Sequence, residues 1–134
     1  MSERDPAELL AAIPYCRHLG VRAELRDGEL ILVMPYQAHL VGNTMLPALH
    51  GGVIGSLLET AAIATLMWDK PGGAFPKPVD ITIDYLRSGR AAESYARART
   101  AKQGRRVVNM HAEMWQDDAS KPVAALRGHF LVSS

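Results

Sequence analysis

The chain reads as an α+β domain, a single antiparallel β-sheet wrapped around one long central helix. Three observations predict this. First, residues 50–68 contain one acid, Glu59, and no Lys or Arg, while Val53, Ile54, Leu57, Leu58, Ala61, Ala62, Thr65 and Leu66 recur at helical spacing. Ala64, Met67 and Trp68 carry the apolar surface further round, and a helix apolar on nearly all sides is a buried helix. Second, the segments on both sides of this run read as strands joined by Gly, Pro and Asp turns. Third, 134 residues without repeat, low-complexity tract or linker suffice for one domain with a real core but hardly for two. The domain therefore spans 1–134, and the economical packing puts the sheet around the helix.

The elements follow in order. Asp5-Pro6-Ala7-Glu8 is a helix start: Asp5 can cap, Pro6 suits the first helical position, and Glu8 stands three after the cap. Leu9, Leu10 and Ile13 give that helix a short apolar face, and Pro14 stops it. Residues 21–25 and 29–34 form two strands joined through Asp27-Gly28, a hairpin signal. Residues 36–49 are expected to be a loop into the buried helix, and residues 69–78 a second loop with Pro71-Gly72-Gly73. Val79, Ile81, Ile83 and Tyr85 alternate with Asp80, Thr82 and Asp84, the period of a strand. Strands are also expected near 93–102, over 106–116 and over 122–132, with turns at Gln103-Gly104 and Asp117-Asp118.

Composition narrows the function. The chain is 48% hydrophobic and 22% charged, as ordinary globular domains are, and its formal net charge of +1 makes no electrostatic case for nucleic acid. A single cysteine, Cys16, excludes an internal disulfide and suggests a reducing compartment. No apolar run looks long enough to span a bilayer, and the first residues lack the form of a signal peptide, so a cytoplasmic location is expected. The histidines, the cysteine and the acids show no metal-ligand spacing, and no Ser-His-Asp pattern surrounds Ser56.

Glu59 stands out against this background. Acids are almost never fully buried unless paired, and an unpaired one shifts its pKa or costs several kcal/mol. Such a residue is either partnered structurally or kept for chemistry.

Leu49-His50-Gly51-Gly52-Val53, with Glu59 nine residues after His50, resembles the entry motif of the hotdog fold, specifically the PaaI-like acyl-CoA thioesterases. Asp80-Ile81-Thr82-Ile83-Asp84-Tyr85-Leu86-Arg87, Gly104-Arg105-Arg106 and Gly128-His129-Phe130-Leu131-Val132 support it, so the resemblance covers nearly the whole chain. It implies hydrolysis of a coenzyme A thioester, with Glu59 as nucleophile or general base and the Gly51 backbone N–H polarising the thioester carbonyl. It further implies a water- or acid-holding amide before the motif, for which Asn43 is nearest, one residue further from His50 than the usual spacing; Gln37 is the substitute. His50 belongs to the motif either as a catalytic group or as a brace at the helix entry. Gly52 and Thr60 are expected beside the substrate. No metal or resident cofactor is implied, coenzyme A being part of the substrate, and the family assembles as homodimers, often doubled into tetramers.

The residues support this chemistry on their own terms. A thioester is already activated; its hydrolysis needs a placed water or an attacking carboxylate, plus stabilisation of the oxyanion. Gly51 and Gly52 open a helix, where free N–H groups and the positive dipole end face outward and no side chain blocks approach. Eight residues of helix separate Gly51 from Glu59, about 12 Å at the standard rise. One carbonyl cannot touch both, so if both act they come from two chains whose helices pack antiparallel about a two-fold axis.

Arg87, Arg105 and Arg106, with Arg90 and Lys102, are candidates for the coenzyme A phosphates or ordinary surface charges. Met45, Leu46, Trp68 and Phe75 are candidates for an acyl pocket or a subunit seam. His111 and His129 fall on strands, His18 and His39 in loops, and Asp80 and Asp84 face outward. Two competing functions are a non-catalytic acyl-CoA binder and an acyl-thioester hydratase or dehydratase. The Gly-His-Phe-Pro-Gly signature of the latter is absent, and His39 is not at the matching distance from Glu59.

Overall fold

A computed structural model describes residues 5–13, 16, 19–36, 41–43, 48–49 and 51–132. Helix α1 spans Pro6–Ala11, with Asp5 capping it by accepting from the Ala7 N–H at 2.9 Å. Strands β1 (Arg22–Arg26) and β2 (Glu29–Met34) form a hairpin. Its turn residues Asp27 and Gly28 both take positive φ, 52° and 80°, as a two-residue turn between right-twisted strands requires. The expected 36–49 loop needs correction. It contains a two-stranded antiparallel ribbon, β3 (Val41–Asn43) and β4 (Ala48–Leu49), whose strands are too short for periodicity to reveal. Helix α2 spans Gly51–Asp69, and β5 (Lys77–Tyr85), β6 (Ser94–Gln103), β7 (Val107–Trp115) and β8 (Ala124–Leu131) follow.

Six strands make one antiparallel sheet in the order β1-β2-β6-β7-β8-β5. The hotdog arrangement is realised: the inner face of this sheet wraps α2. Leu57, Leu58, Ala61, Ala62 and Ala64 of the helix are buried with Ala96, Val108, Met110, Met114, Ala124, Leu126 and Phe130 of the sheet. By length and composition α2 could cross a bilayer, which corrects the expectation that no segment qualifies. Its apolar surface is instead taken up by the sheet, as in the core helix of a globular fold.

β2 is buried on both faces. Leu30, Leu32 and Met34 belong to the main core, while Ile31 and Val33 join Trp115 in a small cluster on the outer face. Tyr95 stacks on Trp115 with centroids 5.8 Å apart, and the Arg97 guanidinium lies 4.9 Å from the Trp115 ring. Much of the rest of the outer face is polar, apart from the exposed pair Val107 and Leu131 at one end. Arg97 pairs with Glu113 at 2.6 Å, and Asp80 binds the His129 Nδ1 at 2.9 Å, so Asp80 is engaged with a neighbouring strand.

β5 lies at one end of the sheet, bonded to β8 on one side and to no described strand on the other. Its register shifts between Pro78 and Asp80, a bulge of the kind that edge strands favour. Val79 and Tyr85 are more than half exposed, at 61% and 55%.

Candidate active site

The candidate site is built on the first half of α2 and the strand whose side chains reach it. Gly51 and Gly52 begin the helix and are exposed, whereas Val53 and Ile54 turn at once into the core. The helix start is therefore open to a ligand while the next turn anchors it. The first-turn N–H groups have no partners further back in the helix, and the dipole adds partial positive charge there.

Side chains of β5 reach this end of the helix. The Tyr85 hydroxyl donates to the Gly51 carbonyl at 3.1 Å. A Cβ on Gly55 would lie 3.1 Å from Ile83 Cδ1 and 3.6 Å from the Tyr85 hydroxyl. Glycine at 55 thus lets the strand lie against the helix, a contact no sequence pattern announced. The parity of β5 held the only hint: Tyr85 shares a face with Ile81 and Ile83, both packed on the core, yet ends in a polar group.

Glu59 sits two turns further on and is half-buried. Burial alone pushes its carboxyl above the usual range, and no cation or hydrogen-bond donor among the described residues counters that. Its neighbour Thr60 is buried, at 5% exposed. Asn43 belongs to β3 of the ribbon that feeds the helix; its side chain, with Gln37, His50, Met45, Leu46, His18 and His39, lies outside the described residues. Among the described residues no group of His, Cys, Asp and Glu could hold a metal ion.

The basic candidates do not gather within one chain. Arg87 follows the Tyr85 end of β5 and donates from Nη1 to the Pro122 carbonyl at 2.7 Å. Arg105 and Arg106 occupy the β6–β7 turn, which the register places at the Lys77 end of the sheet. The two ends are about 26 Å apart, the length of a nine-residue strand. Arg105 instead rims a cleft of about 480 Å³ at the C-terminal end of α2, lined by Leu9, Leu66, Met67, Trp68 and Val108. Trp68 is thus a pocket residue, whereas Phe75 does not line this cleft and is exposed.

In sum of chemistry, one helix carries an electropositive, side-chain-free start and a desolvated carboxylate, the two parts that an activated acyl group needs. Comparison with known proteins points the same way. The thioesterase superfamily matches residues 46–123, more than half of the chain. The medium/long-chain acyl-CoA thioesterase YigI of Escherichia coli K12 is 28% identical over 120 residues, covering 79% of this chain and 77% of that protein. A Chromobacterium violaceum protein of known structure is 42% identical, with a TM-score of 0.76 over 96% of this chain and 89% of that one. A Bacillus halodurans protein solved with CoA is 20% identical and has the same fold, with a TM-score of 0.79 over 100% of this chain and 97% of that one.

Proposed function

This chain belongs to the thioesterase superfamily, and from that premise we propose that it hydrolyses an acyl-CoA thioester to the free acid and coenzyme A. The observation that carries the reading is Glu59: a carboxylate desolvated on an apolar helix, with no cation beside it among the described residues, on the same helix as the exposed Gly51. In this reading the Gly51 N–H polarises the thioester carbonyl, and Glu59 acts as general base on a water or attacks directly. In the same reading Asn43 holds the attacking water or the acid, His50 is a catalytic group or a brace at the helix entry, and Gly52 and Thr60 border the substrate. The chemistry calls for no metal and no resident cofactor. The name of the Escherichia coli relative favours medium- to long-chain acyl groups.

The active unit in this reading is a homodimer, with each site taking Gly51 from one protomer and Glu59 from the other. Support comes from their separation on one helix and from the β5 edge, which no described strand covers and whose exposed Val79 and Tyr85 suit pairing with a second copy. An antiparallel two-fold would also bring Arg87 of one protomer to the same end as Arg105 and Arg106 of the other, gathering cations for the coenzyme A phosphates. A tetramer is a further doubling of this unit. A reducing, cytoplasmic setting fits the buried Cys16.

The test is thiol release from a panel of aryl and aliphatic acyl-CoAs by wild type and Glu59→Gln, which keeps the size and removes the charge. Turnover that disappears in a folded Glu59→Gln supports the reading. Saturable binding without turnover, indifferent to Glu59→Gln, would replace the enzyme with a binder.

A further inference from the structure

We infer that Tyr85 is a positioning residue for the carbonyl-binding end of the site; this deepens the reading of Gly51 as the oxyanion donor and rests on it. Tyr85 donates to the Gly51 carbonyl at 3.1 Å from an edge strand 34 residues away in sequence. That carbonyl already has a helical role, as acceptor for the N–H four residues on, and its second lone pair is free to take the phenol. The bond fixes the plane of the peptide that leaves Gly51. The peptide that enters Gly51, whose N–H is the proposed donor, departs from the Cα that this bond anchors, so the hold sets where that N–H starts from.

The position needs such a hold. Gly51 and Gly52 are consecutive glycines, the residues with the widest backbone freedom, at the first turn, where helices fray most readily. Neither has a side chain to pack, and both are exposed. Ile83 fastens the next turn by lying against Gly55, and Tyr85 extends that grip to the first residue. An oxyanion donor works by being pointed before the charge arrives, so loss of orientation lowers the rate of the chemical step rather than substrate affinity.

Tyr85→Phe keeps the ring against the helix and removes only the hydroxyl. The expected result is a kcat roughly fivefold lower, the fold-change of one neutral hydrogen bond, with KM close to wild type and a melting temperature lower by a few degrees at most. The decisive readout is the infrared carbonyl stretch of a bound ketone analogue of the acyl-CoA, with methylene in place of sulfur. Polarisation by the site lowers this frequency in wild type, and in Tyr85→Phe the band moves back toward its solution value and broadens. An unchanged band in a folded Tyr85→Phe overturns the inference while leaving Gly51 as the donor. A band in wild type that is not shifted from solution overturns the Gly51 reading itself, and Tyr85 with it. Should Tyr85→Phe fold poorly, 3-fluorotyrosine at position 85, a stronger donor of nearly the same shape, is expected to lower the frequency further; no change would refute the role.

Discussion

Gly51 and Glu59 stand on the same face-exposing half of one helix, separated by about 12 Å along its axis. They cannot meet on one carbonyl within a chain. With the proposed shared site, variants inactivated at one or the other should therefore rescue each other. Glu59→Gln retains a sound helix start, and Gly51→Val retains a sound carboxylate. Mixed dimers carry one intact site and one doubly damaged site. Random exchange of equal amounts makes half of the dimers mixed, so activity should return to about a quarter of wild type, given two-fold pairing. Activity that stays at the level of the separate variants would place both groups in one chain and refute the shared site.

Desolvation of Glu59 makes a paired prediction for pH. Its folded-state pKa lies above the reference value of 4.5. In the proposed mechanism the reacting form is the carboxylate, so kcat/KM should fall as pH drops through that raised value, an acid limb above the ordinary glutamate range. Stability runs the opposite way. The contribution of the protonated carboxyl is complete below the unfolded value and is lost as pH rises through the folded one. Glu59→Gln should accordingly melt higher than wild type at neutral pH, and the two should converge below pH 4.5. Thermal melts at several pH values check the sign directly.

Contact between β5 and α2 depends on the missing side chain at 55. Gly55→Ala adds a Cβ only 3.1 Å from Ile83 Cδ1, the far end of a flexible side chain. The helix-propensity gain of about 0.8–1 kcal/mol offsets the adjustment, leaving stability near wild type. Gly55→Val has no such room and should cost about 1–3 kcal/mol by pushing Ile83 and Tyr85 away from the helix. Denaturant unfolding separates the two variants, and the second should lose activity with stability.

Cys16 is only 4% exposed, and burial pushes its thiol up to about 11. The thiolate is the reactive form. Native protein at pH 8 should resist iodoacetamide for as long as it stays folded, and alkylation should follow unfolding. Rapid labelling of the native chain would contradict the packing of this residue.

The central helix, the β1–β2 hairpin and the later strands were legible because each satisfies a local rule repeated over many residues. Asp27-Gly28 needs only its own backbone preferences to make the turn. Glu59 was visible because a charge among apolar residues is costly wherever the chain goes. The ribbon of Val41–Asn43 and Ala48–Leu49 was not, since so few residues define no period.

The sequence by itself determined that one apolar helix would be enclosed, that it would begin at paired glycines, and that it would carry one acid. Those are consequences of side-chain polarity and backbone freedom along a contiguous segment. Tertiary structure alone decided that Tyr85 reaches Gly51, that Ile83 occupies the space of an absent side chain at Gly55, and that Arg87 stands a strand's length from Arg105. Such relationships depend on strand order and register, which are set by the packing of the whole sheet around the helix rather than by any segment within it.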